Sequence, residues 1–234
     1  MNGFVAGTLV HTDRGLVPIQ NIRIGDMVLS RHKIDDEKLA YKRVTKISKT
    51  DDQPIGAIVA SIQIGESENY KEEFIFSTRT TTFYTRNYSK YYESKEIKGA
   101  WATIGSTDNG LIDFNCKIVG LCENRELFRT TEEYKAFYKV NPDWGMGIFL
   151  DVEAYKNNKL TVPDYIGNED LEVDNVDENG DLVMERFCTK DLYGRDLWIP
   201  YMPVYFTTIY NFEVEDFKTY FVGELGLWVH QLLI

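Results

Sequence analysis

Hydrophobic positions in the first hundred residues come in short alternating runs broken by turn residues, the pattern of half-buried strands rather than helices. Gly15, the Ile24-Gly25-Asp26 turn and Asp51-Asp52-Gln53-Pro54 punctuate them, and a β-branched and aromatic run extends from Phe74 to Thr85. Alternation returns beyond Pro203, in Tyr210–Val214 and Thr219–Val222. Between these regions the pattern changes. Thr130 with Glu133 three positions on forms a capping box, and Tyr134, Phe137 and Tyr138 recur at helical spacing until Asn141-Pro142, which predicts one amphipathic helix. Further on, Leu171–Val173 and Asp181–Met184 flank Asn179-Gly180, a dipeptide whose tolerance of positive φ suits a tight hairpin. The chain reads as a mainly β domain, residues 1–103 and 201–234, interrupted by a small α+β insertion, residues 104–200.

Composition adds a boundary and a polarity. With 234 residues, 43% of them hydrophobic, the chain can bury a full core. No apolar run reaches the roughly 18 residues of a membrane span, and the start lacks a signal-peptide pattern, so a soluble cytoplasmic protein without a membrane partner is expected. Cys116, Cys122 and Cys188 lack paired metal-ligand spacing and are expected as reduced thiols; neither metal nor cofactor is expected. The net charge of −11 is unevenly placed. Residues 104–200 carry 20 acidic and 10 basic side chains, against 17 and 16 in the rest. An acidic segment repels phosphate backbones, which argues against a nucleic-acid partner and for a basic protein.

Two segments carry a family resemblance. Gly3–Thr12, followed by Gly15, Pro18-Ile19, Ile22 and Ile24–Ser30, resembles the opening block of Hint domains, the fold of inteins and hedgehog-type autoprocessing domains, in particular those attached to bacterial polymorphic toxins. Tyr210–Glu224 with Leu225–His230 resembles the closing blocks, and the similarity is weaker from Thr78 to Trp101. The resemblance implies a curved β-horseshoe. It also implies four catalytic positions, and each is altered here. The first residue of such a domain is a Cys, Ser or Thr that attacks the preceding carbonyl; Gly3 stands there and has no nucleophile. In the family's Thr-x-x-His pair, Thr78 matches the threonine, but Thr81 replaces the histidine, and a hydroxyl cannot act as an acid near neutral pH. Lys218 takes the place of a second assisting histidine. The terminal His-Asn-Cys/Ser/Thr becomes His230-Gln231-Leu232, in which glutamine cyclises more slowly and leucine is no acceptor. Only Met1-Asn2 and Leu232–Ile234 flank these blocks, which leaves almost nothing to splice.

These losses imply a pseudoenzyme: a catalytically inactive Hint-like domain acting as a protein-binding module, an immunity or regulatory protein of a polymorphic toxin system. The alternative is an autoprocessing domain that retains C-terminal cleavage through His230 and Gln231. The expected partner is a basic protein, possibly a toxin, bound by the acidic residues Glu169, Asp170, Glu172, Asp174 and Asp177. Two sharper readings are weaker. Asn109–Phe114 resembles part of a homing-endonuclease helix motif, with Asp113 at the metal-ligand position, but the acidic surroundings suit DNA poorly. Asn175 to Asp181 resembles the start of a calcium loop, but Glu185 falls one residue short of the position required for a bidentate ligand, and the flanks read as strands. His230 is expected to keep a structural role beside Trp228, His11 and His32 are expected to be structural or exposed, and Asp26 should bind backbone amides in its turn.

Overall fold

The structure, a computed structural model, describes residues 2–33, 38–63, 70–87, 99–103, 109–112, 118–121, 124–129, 135–139, 147–157, 164–166, 186–190, 196–200 and 204–230. It is mainly β, as the alternation requires. Eighteen strands are linked into one network of antiparallel neighbours, and Arg186–Lys190 pairs separately with Asp196–Pro200. The longest strand, Leu39–Pro54, pairs with Met27–Arg31 at its start and with Phe206–Val214 along most of its length. Thr219–Val222 is buried at every position and Leu227–His230 at all but its last, consistent with their near-continuous hydrophobic runs. Asp26 closes its turn by accepting the Arg23 backbone N–H at 2.8 Å.

The two-residue strand Phe4–Val5 lies between two hydrophobic clusters. Phe4 packs with Val10, Val28, Phe83, Tyr220 and Val229, whereas Val5 packs with Ile55, Phe76, Leu127, Leu150 and Ile209. Successive strand residues face opposite ways, so one short strand serves both cores. It is held on both edges, Phe4 opposite Ser77 on one and opposite Tyr210 on the other.

Residues of the middle segment are woven into this frame. Asn124–Glu126 pairs with Gly56–Ile58, and Asn109–Leu111 pairs with Thr85–Asn87. Leu127, Leu150 and Val152 are fully buried in the cluster that contains Val5, each worth about 1.5–3 kcal/mol of apolar burial. The five-residue helix Val152–Lys156 is capped by Asp151, which accepts the Ala154 N–H at 2.7 Å. A single turn is too short to stand alone. It is held by docking: the Tyr155 ring lies 4.3 Å from Phe76, and its hydroxyl is 2.9 Å from Thr8 Oγ1.

Two expectations need correction. Lys135–Lys139 is a strand and not part of an amphipathic helix; it pairs with Leu127–Arg129 on one edge and Gly147–Asp151 on the other. Aromatic residues suit a strand when both edges offer backbone partners, and three positions at helical spacing are too few to outweigh that. Among the described residues of 104–200, Val152–Lys156 is the only helix. Likewise Asp51–Pro54 does not break the chain but ends the long strand. Thr50 pairs with Ile209 and Gln53 with Thr207, so Asp51 and Asp52 together face Thr208, and Asp52 takes φ 52°. This is a β-bulge, for which the same turn-forming residues are suited. The expected hairpin at Asn179-Gly180 lies outside the described residues.

Gly7 is where the helix meets the frame. Its φ is +93°, and a Cβ there would sit 2.0 Å from the Tyr155 carbonyl oxygen. Gly15 has a φ of +99° with open space around it. Gly7→Ala should therefore cost about 2–4 kcal/mol in urea unfolding, strain plus overpacking, and Gly15→Ala about 1–2 kcal/mol of strain alone. Equal losses would show that the helix does not bear on Gly7.

Candidate functional site

Gly3 precedes the wedge strand, and the turn Thr78–Thr81 wraps around it. The Thr78 backbone N–H donates to the Gly3 carbonyl at 3.0 Å. Thr81 Oγ1 also donates to that carbonyl, at 3.2 Å, and accepts the Gly3 N–H at 3.3 Å. Thr78 Oγ1 lies 3.0 Å from Thr81 Oγ1, and both threonines are buried. A hydroxyl has one proton to give and two lone pairs to receive. With its proton on the Gly3 carbonyl, Thr81 can accept from Gly3 and Thr78 together, so every capacity of the hydroxyl is used. The three residues form a hydrogen-bonded knot, which Thr80 joins through its hydroxyl 3.4 Å from Thr78 Oγ1.

Gly3 itself is tightly enclosed. A Cβ at this position would lie 2.8 Å from Ile209 Cδ1 and 2.9 Å from the Tyr210 carbonyl oxygen. The second of these is backbone in the pairing strand, which a rotamer change cannot move. Gly3 has no side chain and, in its present backbone position, no room for one.

His230 approaches from the closing blocks. It ends the strand Leu227–His230 and stands opposite Thr219 on one side and Thr82 on the other, next to the threonine turn. Its ring lies 5.1 Å from that of Trp101, and its Nε2 contacts Lys33 Nζ. Burial, and then the charge of Lys33, push its pKa down to about 4. The imidazole is therefore neutral and serves as an acceptor. Lys218, in the left-handed region at φ 58°, lies close enough to Lys33 for its charge to disfavour a second ammonium there. The structure thus gathers Gly3, Thr78 and Thr81 into one knot, and places His230 and Lys218 around Lys33.

Gln231 lies outside the described residues, as do Glu169, Asp170, Glu172, Asp174 and Asp177, Asp113, Cys116, Cys122 and the calcium-like loop; the side chain of Cys188 is likewise not described. Among the described residues, no three His, Cys, Asp or Glu side chains come together as a metal site. His11 Nε2 is 2.8 Å from the Gly223 carbonyl, and His32 packs edge-on against Phe217 at 5.1 Å.

Lys33 and Trp101 are the neighbours that sequence reasoning missed. Lys33 is placed by a hydroxyl staple: Ser30 Oγ donates to the Thr219 carbonyl at 2.7 Å, and Thr219 Oγ1 donates to the Arg31 carbonyl at 2.6 Å. Because Thr219 faces His230, clamping Arg31 to Thr219 delivers Lys33 to the imidazole. Nothing in the local sequence signals that long-range pairing.

No protein-family model and no curated protein matches the chain. Solved structures that it resembles include inteins and an intein-like domain. A bacterial intein-like domain from Clostridium thermocellum is 19% identical, covers 98% of this chain and 99% of its own, and superposes with a TM-score of 0.47. A DnaB intein from Synechocystis is 8% identical, covers 100% of both chains, and gives 0.45. No helix among the described residues is long and apolar enough to cross a membrane.

The depressed His230 pKa has a testable sign. The unfolded chain protonates this residue near its ordinary value of 6.5, whereas the folded site resists until about 4. Stability from His230 is complete above the upper value and is lost as pH falls through that window. His11 is lowered by burial and acts in the same direction. In melts from about pH 7 to about 4.5, His230→Gln should show a shallower fall of Tm than the parent protein. Parallel curves would show that His230 is not held neutral.

Proposed function

We propose that this chain is a Hint-type domain that has lost self-cleavage and acts as a protein-binding module, an immunity or regulatory protein of a bacterial polymorphic toxin system, working in the cytoplasm. The observation that carries the first half is the knot at Gly3: the position that resembles the family's nucleophile has no side chain and no space for one, and the position that resembles its acid is a threonine whose hydroxyl is fully engaged. The resemblance of the two end blocks supports the family. The division into a β-domain, residues 1–103 and 201–234, and an acidic insertion, residues 104–200, belongs to the same proposal, with the two parts sharing a core.

The binding half rests on charge. The outer residues are almost balanced, and the middle segment carries the surplus of ten negative charges. Such a surface attracts a basic protein, speeds its association and makes that association salt-sensitive; a toxin that must hold phosphate would have the matching charge.

Reporters fused to both ends and incubated with thiol for a day should remain attached, by intact mass. Release at the N-terminal end would overturn the loss of attack at Gly3, and release at the C-terminal end would favour the alternative reading of residual cleavage through His230 and Gln231. Gly3→Cys and Thr81→His should each fail singly, because groups that act as a unit lose function non-additively. The double variant must also displace the Tyr210 carbonyl.

For the partner, affinity capture from the native cell should return a basic protein. Reversing Glu169, Asp170, Glu172, Asp174 and Asp177 should slow its association by about tenfold or more at low salt and flatten the salt dependence. Unchanged kinetics, or an acidic partner, would refute the assignment.

A further inference from the structure

Lysines in the described frame mostly face carboxylates. Lys42 meets Asp216 at 2.7 Å, Lys46 meets Glu213 at 3.2 Å, Lys71 meets Glu224 at 2.7 Å and Lys156 meets Glu153 at 2.8 Å. A carboxylate stabilises the ammonium form and holds the nitrogen lone pair out of use. Lys33 is placed differently. Its Nζ meets the Nε2 lone pair of neutral His230, and its charged neighbour is the cation Lys218. The wall behind the imidazole is aromatic, with Trp101 5.1 Å from His230 and 4.8 Å from Trp228. The side chain is half-buried, so the amine is partly stripped of water yet reachable.

We propose that Lys33 is a nucleophilic amine at which activated acyl donors of the thioester class modify this protein, with the His230 ring holding the amine in place through its Nε2. The free amine attacks the thioester carbonyl carbon. A C–N bond forms, the C–S bond breaks, and the thiolate departs. The proton lost from Nζ passes to the departing thiolate or to water, giving an amide and a thiol with no change of oxidation state, while the contact with His230 Nε2 orients the amine. Burial, and then the charge of Lys218, favour the free amine by holding Lys33 below the usual lysine range. Both are ways in which proteins activate lysine. The chemistry is independent of the Hint reading and of any cleavage.

The test uses the full chain and S-phenyl thioacetate at neutral pH, with each lysine followed by peptide mass mapping. Lys33 should be acetylated severalfold faster than Lys42, Lys46 or Lys71, since a lysine pKa held below the usual range leaves more free amine at neutral pH. Lys33→Arg should remove the fast site without raising the others. His230→Gln should slow it, and Lys218→Gln should move the midpoint of its rate–pH profile upward while leaving the high-pH plateau in place. The second substitution is on a turn, and it keeps the test informative if His230→Gln unfolds the closing strands. Lys33 reacting no faster than Lys46, or a profile that Lys218→Gln leaves unmoved, would overturn the proposal.

Discussion

The structure depends on the placement of Phe4–Val5 between two hydrophobic cores. One side chain faces each cluster, and both edges of the short strand are hydrogen-bonded to neighbours. A two-residue strand has almost no independent stability, so its position is set by burial: two large apolar side chains are worth roughly 3–6 kcal/mol between them. That burial fixes Gly3, whose carbonyl and N–H then determine where the Thr78–Thr81 turn must lie. The candidate site is a consequence of the wedge.

The same logic explains how the site around Gly3 holds its shape. An imidazole at position 81 would be poised to give up a proton; the threonine found there gives its proton to a structural carbonyl and satisfies the buried amide beside it. Buried polar groups left without partners are costly, so the residue at this position has to complete the hydrogen bonds. Thr81 does this with few atoms. Around Gly3 the neighbouring strand lies so close that a Cβ would meet Ile209 and the Tyr210 carbonyl. The result is a stable knot where the end blocks lead one to look for a reactive centre.

The sequence was most legible where side chains alternate and where residues far apart match a known pattern. Short strands near both ends and the turn role of Asp26 could be read from the chain, and Gly3, Thr78 and Thr81, matched through a resemblance, lie together in the structure. The failures have physical causes. Tyr134, Phe137 and Tyr138 have a helical spacing, but ladder partners supplied by Leu127–Arg129 and Gly147–Asp151 decide the local structure of Lys135–Lys139. Asp51-Asp52-Gln53-Pro54 has turn chemistry, and a bulge uses the same chemistry without reversing the chain. Lys33 was invisible because its neighbour is set by Thr219, far along the sequence. Local composition cannot report which distant strand a residue will meet.

The partners of the opening strand also set the timing of assembly. Phe4 is opposite Tyr210, and its aromatic neighbours include Tyr220, all near the far end of the chain. At ribosomal rates of about 5–20 residues per second, the first strand waits for about 10–40 s before the residues that cover it have been made. During that interval Phe4 has its early neighbours, such as Val10, Val28 and Phe83, but lacks the cover of Tyr210 and Tyr220. The core around the opening strand is therefore completed only after the closing strands have emerged from the ribosome, and until then the uncovered aromatic side chains are open to chaperones that hold exposed apolar segments.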